Sequence, residues 1–186
     1  MIYIIQVLLL ILLSDFITGH IHWWEDAYGN PNWKFLGVGK YVVLPNLEHH
    51  KYPRKLIEGT LWERIKISFF TSLFLMLCVY LLFGKLNWQT IFCLLYSAFA
   101  NEIHAMSHRT DKENGKIICF IQKTGLIQSR RVHGRHHTSP YNINYCVLTN
   151  YLNPILNKIK YFDKIEWLIA LFGIKPLRGS DLRNGL

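Results

Sequence analysis

The sequence predicts an all-α integral membrane protein: about three transmembrane helices plus interfacial helices, with a histidine-rich site at the cytoplasmic helix ends. Three observations predict it. The 186 residues are 51% hydrophobic and 15% aromatic, with a mean hydropathy of +0.13, too apolar for an ordinary soluble domain. Three apolar runs each approach the ~20 residues a helix needs to cross a bilayer. Nine histidines lie within a few turns of the apolar segments or at their ends. The length allows a single domain, 1–186.

The first span is 2–24. It is apolar as far as Leu13 apart from Gln6, and its first charge is Asp15, so the basic start and small-residue cleavage site of a secretory signal are missing. Trp23 and Trp24 sit where amphipathic rings prefer the membrane interface. Asp15, Gly19, His22 and Asp26 step by four, three and four and share a face, whereas His20 points about 200° away from His22. Residues 25–64 are polar and rich in turn formers, such as Gly29-Asn30-Pro31-Asn32 and Pro45-Asn46. They read as a loop that returns to the membrane carrying His49-His50.

The spans 65–83 and 88–108 form a helical hairpin across Gly84-Lys85-Leu86-Asn87, and the second ends in Asn101-Glu102-Ile103-His104-Ala105-Met106-Ser107-His108. The segments 116–128 and 164–174 are apolar but interrupted, which suits interfacial helices. Between them, His133, His136 and His137 lie at i, i+3 and i+4, one side of a helix that Pro140 stops. Cys78, Cys93, Cys119 and Cys146 form no C-x-x-C pair and read as buried thiols.

Charge gives the orientation. Residues 25–66 and 109–186 together hold every Lys and Arg but Lys85, so by the positive-inside rule they face the cytoplasm, and every histidine motif lies on that side. The net charge of +9 brings no aromatic-basic reading module with it, so nucleic acid is not an expected partner.

The candidate ligands are His22-x-x-x-Asp26, His49-His50, His104-x-x-x-His108 and His133-x-x-His136-His137. Eight imidazoles exceed what one catalytic zinc takes and suit two metals. Imidazole-rich sites with open positions favour iron, whose non-haem form serves O2 chemistry. A zinc protease needs Glu after the first histidine of the helical pair, and Ala105 stands there. A bis-histidine haem protein does not use tandem histidines, and a metal transporter places its ligands near the bilayer midplane. Asp26 is either a ligand or a hydrogen-bond partner of one. Asp15 and Asn101 are candidate supports behind the ligands. Arg130, Arg131 and Arg135 are either phosphate-headgroup contacts or interfacial anchors.

Taken together, these motifs resemble the lipid desaturases. The order is Asp15-Phe16, Gly19 to His22-Trp23, Asp26, Glu48-His49-His50, Asn101 to His108, then Ser129-Arg130-Arg131 through Tyr141-Asn142-Ile143-Asn144-Tyr145-Cys146. This family includes plasmanylethanolamine desaturase and the plastid enzyme that makes a trans-3 double bond in phosphatidylglycerol. The resemblance runs through Lys175-Pro176. It implies a membrane di-iron enzyme with eight functional histidines: His22, His49, His50, His104, His108, His133, His136 and His137. It implies O2-dependent introduction of a double bond into a lipid-borne alkyl or acyl chain, in the first reading the vinyl ether of plasmalogens. The alternatives are acyl trans-3 desaturation, lipid hydroxylation, and a membrane metal-binding or signalling role. The electron donor is expected to be a separate cytosolic protein of ferredoxin or cytochrome b5 type, because no flavin or haem motif is visible. No transit peptide is visible, so a bacterial inner membrane is the simplest setting. One departure is Lys123, where the relatives tend to carry Asp after the glutamine.

Overall fold

The computed structural model describes residues 2–178, so both ends of the expected 1–186 domain lie outside the described residues. Those residues are helical and turn structure with no strand. Two helices, α1 (Ile2–Ala27) and α3 (Leu61–Phe83), are long and apolar enough to cross a membrane. Most of α3 is exposed, with Phe70, Phe74, Leu77 and Leu81 pointing outward. Its start is fixed by a capping box, in which Thr60 and Glu63 satisfy each other's backbone N–H groups, and its end by Gly84 at φ 68°.

The expected helix 88–108 is broken. It runs as α4 (Trp88–Ala98) and α5 (Ala100–His108), separated at Phe99. The amides of Glu102 and Ile103 both turn to the Phe99 carbonyl, which frees that of Ala98, and Ser68 of α3 donates to it at 2.7 Å. The break thus leaves no orphaned carbonyl. The loop expected at 25–64 also contains more structure than its turn residues announced. It holds helical turns at Phe35–Gly37, Gly39–Val43 and Pro53–Ile57 around a true helix, α2 (Leu44–Lys51), which carries His49 and His50.

The interfacial helices differ at their ends. α6 spans Asp111–Thr124, earlier than expected, because Thr110 and Glu113 cap it, and it stops at Gly125 with φ 82°. The histidine helix α7 (Arg130–His136) ends four residues before Pro140, so the proline is not what stops it. α8 (Leu152–Lys158) was not expected, and α9 covers Tyr161–Ala170.

α4 packs against both α1 and α3, which make little contact with each other. Ser14 of α1 donates to the Cys93 carbonyl of α4. The main core lies at the histidine end of α1, where Trp23, Ala27 and Tyr28 meet Tyr145, Cys146, Leu156 and Phe162. The expected buried face of α1 is the observed one: Asp15, Gly19, His22 and Asp26 are all covered.

Candidate metal centre

Four helices bring the nine candidate ligands together: α1 supplies His22 and Asp26, α2 His49 and His50, α5 His104 and His108, and α7 with its cap His133, His136 and His137. They form two groups rather than one. His49, His104, His108, His133 and His137 make the first, and His22, Asp26, His50 and His136 the second; within each group the offered ligand atoms all lie within 4.8 Å. The adjacent pairs His49-His50 and His136-His137 each divide between the groups, which sets the two positions side by side. The i, i+4 spacing of His133 and His137 keeps both in the first group, while His136 turns to the second.

In the first group, His133 Nε2 lies 2.8 Å from that of His104, 3.0 Å from that of His108 and 2.9 Å from that of His137. Neutral imidazoles have one donor each, so four such nitrogens facing inward cannot satisfy one another. In the second group, Asp26 Oδ1 lies 3.0 Å from His50 Nε2, and Oδ2 lies 3.0 Å from His136 Nε2 and 3.5 Å from His22 Nε2. Asn46 also donates to Asp26 Oδ1 at 2.7 Å. His22 Nε2 and His49 Nε2 are buried without a hydrogen-bond partner. Converging nitrogens that lack partners fit a bound cation, and five nitrogens in one group with three nitrogens and a carboxylate in the other suit transition metals.

The ring orientations are set from behind. His22 Nδ1–H donates to the Tyr145 carbonyl at 3.0 Å, His136 Nδ1–H to the Ile143 carbonyl at 2.7 Å, and His49 Nδ1–H to the Asn46 carbonyl. A carbonyl only accepts, so each of these rings keeps its proton on Nδ1 and presents the Nε2 lone pair. Burial, reinforced by repulsion from neighbouring imidazoles, holds His49 and His133 well below the usual histidine range. The same causes push His137 down to about 2. These rings are neutral at physiological pH and coordinate without first losing a proton.

Asp15 and Asn101, expected behind the ligands, make their hydrogen bonds elsewhere. Asp15 accepts from the amides of Leu148 and Thr149 at 2.8 and 3.1 Å and from the Thr149 hydroxyl at 2.6 Å. Asn101 donates to the Arg64 carbonyl. Asp15 therefore acts through the chain segment 143–149, two of whose carbonyls orient His22 and His136. Gln128 and Asn153 pin the same segment at Cys146, and Asn144 ties it to the Val132 carbonyl of α7. Lys123 is exposed on α6, while Gln122 beside it is buried and donates to the Gln128 carbonyl, so the departure at 123 does not reach the histidines. His20 stands outside both groups, bonded to the Phe16 carbonyl and the Tyr161 hydroxyl. The exposed side of α7 carries Arg130, Arg131 and Arg135.

Sequence reasoning missed Asn46, the carbonyls of Ile143 and Tyr145, Asn153 and Arg178. Carbonyl acceptors have no side-chain signature. Asn46 follows Pro45 and read as part of a turn.

A family model described as a lipid desaturase domain matches residues 11–178. A protein of Acanthamoeba polyphaga mimivirus named as a probable fatty acid desaturase is 34% identical over 173 residues, 92% of this chain and 85% of the viral one. Fatty acid desaturase 4, chloroplastic, of Arabidopsis thaliana is 30% identical over 91% of this chain and 53% of its own length. Plasmanylethanolamine desaturase 1 of Mus musculus is 29% identical over 92% of this chain and 66% of its own. The chain thus spans most of the viral relative, about half of the plant protein and about two thirds of the mouse protein. No solved structure matches it.

Proposed function

From the premise that this chain belongs to the lipid desaturase family, whose named relatives are oxidoreductases, we propose that it is an O2-dependent di-iron membrane desaturase. It introduces a double bond into a lipid-borne alkyl or acyl chain. The observation that carries this reading is the paired ligand set: two adjacent groups of converging, buried or half-buried imidazoles at one end of membrane-length helices. When bound, a pair of iron ions supplies the O2-activating redox chemistry that takes hydrogen from unactivated carbon. His49, His104, His108, His133 and His137 hold one ion, and His22, Asp26, His50 and His136 the other, with Asp26 a ligand. The carbonyls of Asn46, Ile143 and Tyr145 keep three of those rings aimed, and the buried setting excludes water from the reacting carbons.

In this reading three spans cross the membrane, the third being α4 with α5, and the centre faces the side that carries the Lys and Arg residues. Reducing equivalents come from a soluble carrier of ferredoxin or cytochrome b5 type. The sequence of α5, Asn101-Glu102-Ile103-His104 with Ser107-His108, supports an ether chain of the plasmanylethanolamine type. The higher identity to relatives named as fatty acid desaturases supports an acyl chain.

Lipid mass spectrometry of cells expressing the wild-type chain or His136→Ala, supplied with oxygen and with both 1-O-alkyl and palmitoyl lipids, tests the proposal. The expected product is two hydrogens lighter than its precursor and absent from the variant. Acid lability assigns it to the vinyl ether and acid stability to acyl desaturation. A product one oxygen heavier is hydroxylation, and no product from an iron-loaded, reduced protein sinks the reading.

A further inference from the structure

A slot of about 360 Å³ runs down from the histidines between three helical stripes. α1 contributes Ile17, Thr18 and Ile21 below His22, α3 contributes a stripe from Ile67 to Leu75, and α4 with α5 a stripe from Leu94 to His104. At the helical rise of about 1.5 Å per residue, the α1 wall from Ile17 to His22 extends about 8 Å and the α3 wall ~12 Å. A cavity of that volume and length has a cross-section on the order of 30 Å². That admits an extended hydrocarbon chain, and its length takes on the order of ten carbons. Two of the hydroxyls along it are spent on backbone: Thr18 donates to the Ser14 carbonyl at 3.0 Å and Ser68 to that of Ala98. Below the histidines the walls are mostly apolar, with Ile17, Ile21, Leu75 and Leu94 among them.

The slot is partly open, and the two of its walls that make little contact with each other, α1 and α3, are the helices long and apolar enough to span a membrane. At its upper end it shares Asn46, Asn101 and His104 with a second cavity of about 370 Å³, whose walls carry both signs of charge, including Glu58, Lys55 and Lys66. A polar head fits one cavity and an apolar tail the other, with the histidines at their junction.

We propose that one hydrocarbon chain of a membrane lipid enters sideways between α1 and α3 and seats in this slot, with its polar head in the charged cavity, and that Ser72 sets how much chain the slot accepts. Ser72 is only 7% exposed and sits between Ser68 and Leu75 on the α3 wall. A small residue there keeps the lower half of the slot open, and a large one closes it. The occupant's identity rests on the lipid desaturase reading; the slot and its opening do not.

The test uses the full chain in bilayer discs with a phospholipid that bears a photoreactive diazirine midway along one palmitoyl-length chain, and maps attachment by peptide mass spectrometry. The expected label falls on Ile17, Thr18, Ile21, Thr71, Ser72 and Leu75. Ser72→Phe reduces it at least ten-fold, Ser72→Ala leaves it within two-fold, and metal content is unchanged in both. Should Ser72→Phe lose its metal, Thr71→Leu narrows the same wall and is read in the same way. Label confined to the outward-facing Phe70, Phe74 and Leu77, or label in the slot that survives the bulky substitutions, overturns the proposal. Label in the slot of a wild-type protein that makes no double bond keeps the seat and defeats the desaturase reading; a double bond with label only outside does the reverse.

Discussion

Tyr145 serves the metal centre through its main chain and is itself held by side chains from elsewhere. Its carbonyl accepts from His22, its ring lies 5.3 Å from that of His136, and its hydroxyl accepts from Arg178 at 2.6 Å. Arg178 is fixed in turn by an ion pair with Glu166, which also accepts from Trp23 Nε1 at 2.7 Å. Groups that orient a ligand typically cost ten- to a hundred-fold in metal affinity when lost. We therefore expect Arg178→Ala to weaken metal retention by the group containing His22 by about ten-fold, with Arg178→Lys recovering part, measured by competition with a chelator. A second expectation concerns acid. His49, His133 and His137 titrate below their unfolded value in the folded chain, so the unfolded state binds more protons once the pH drops below ~6.5. The metal-free protein should lose stability steadily as pH falls from 7.5 to 5, and a thermal midpoint that rises on acidification contradicts this. Histidine identity and spacing made the candidate ligands legible from sequence. How they divide into two groups was not legible, because it depends on how α2 and α7 are tilted against α1.

α1 works as an element through a small residue on its buried face. A Cβ at Gly19 would lie 2.7 Å from Cys146 Sγ and 3.2 Å from its Cα, so the helix approaches the 143–149 segment to a distance only glycine allows. Gly19→Ala should cost about 1–3 kcal/mol, the usual penalty of overpacking, and should also loosen metal binding, because the displaced segment carries the carbonyl that orients His22. Thermal unfolding and metal content of the purified variant check both, and an unchanged midpoint would show that the contact is slack. The long apolar runs made α1 and α3 readable. The break in α4–α5 was hidden because Phe99 is no helix breaker; the interruption is stabilised from outside by Ser68. α2 was hidden for the opposite reason, since Pro45 near a helix start is favourable but reads as a turn when flanked by Gly and Asn.

At the scale of the molecule, the two ligand groups share only α2 and α7, the first adding α5 and the second α1, and they are chemically distinct. Elemental analysis should find two metal ions per wild-type chain, with His108→Ala emptying the all-histidine position first and His50→Ala the position containing Asp26. If either substitution removes both ions, the positions fill as one unit. That these segments meet at all was legible from the uneven distribution of charge and the shared end of the apolar runs; the band at 143–149 that organises them was not, because it works through backbone and through partners far away in sequence. Asp15 and Thr149 are 134 residues apart. At a synthesis rate of about 5–20 residues per second, the ribosome delivers them roughly 7–27 s apart. For that interval α1 carries an acid at mid-length with its eventual partners still untranslated, so the buried face of this helix is completed only by residues made much later.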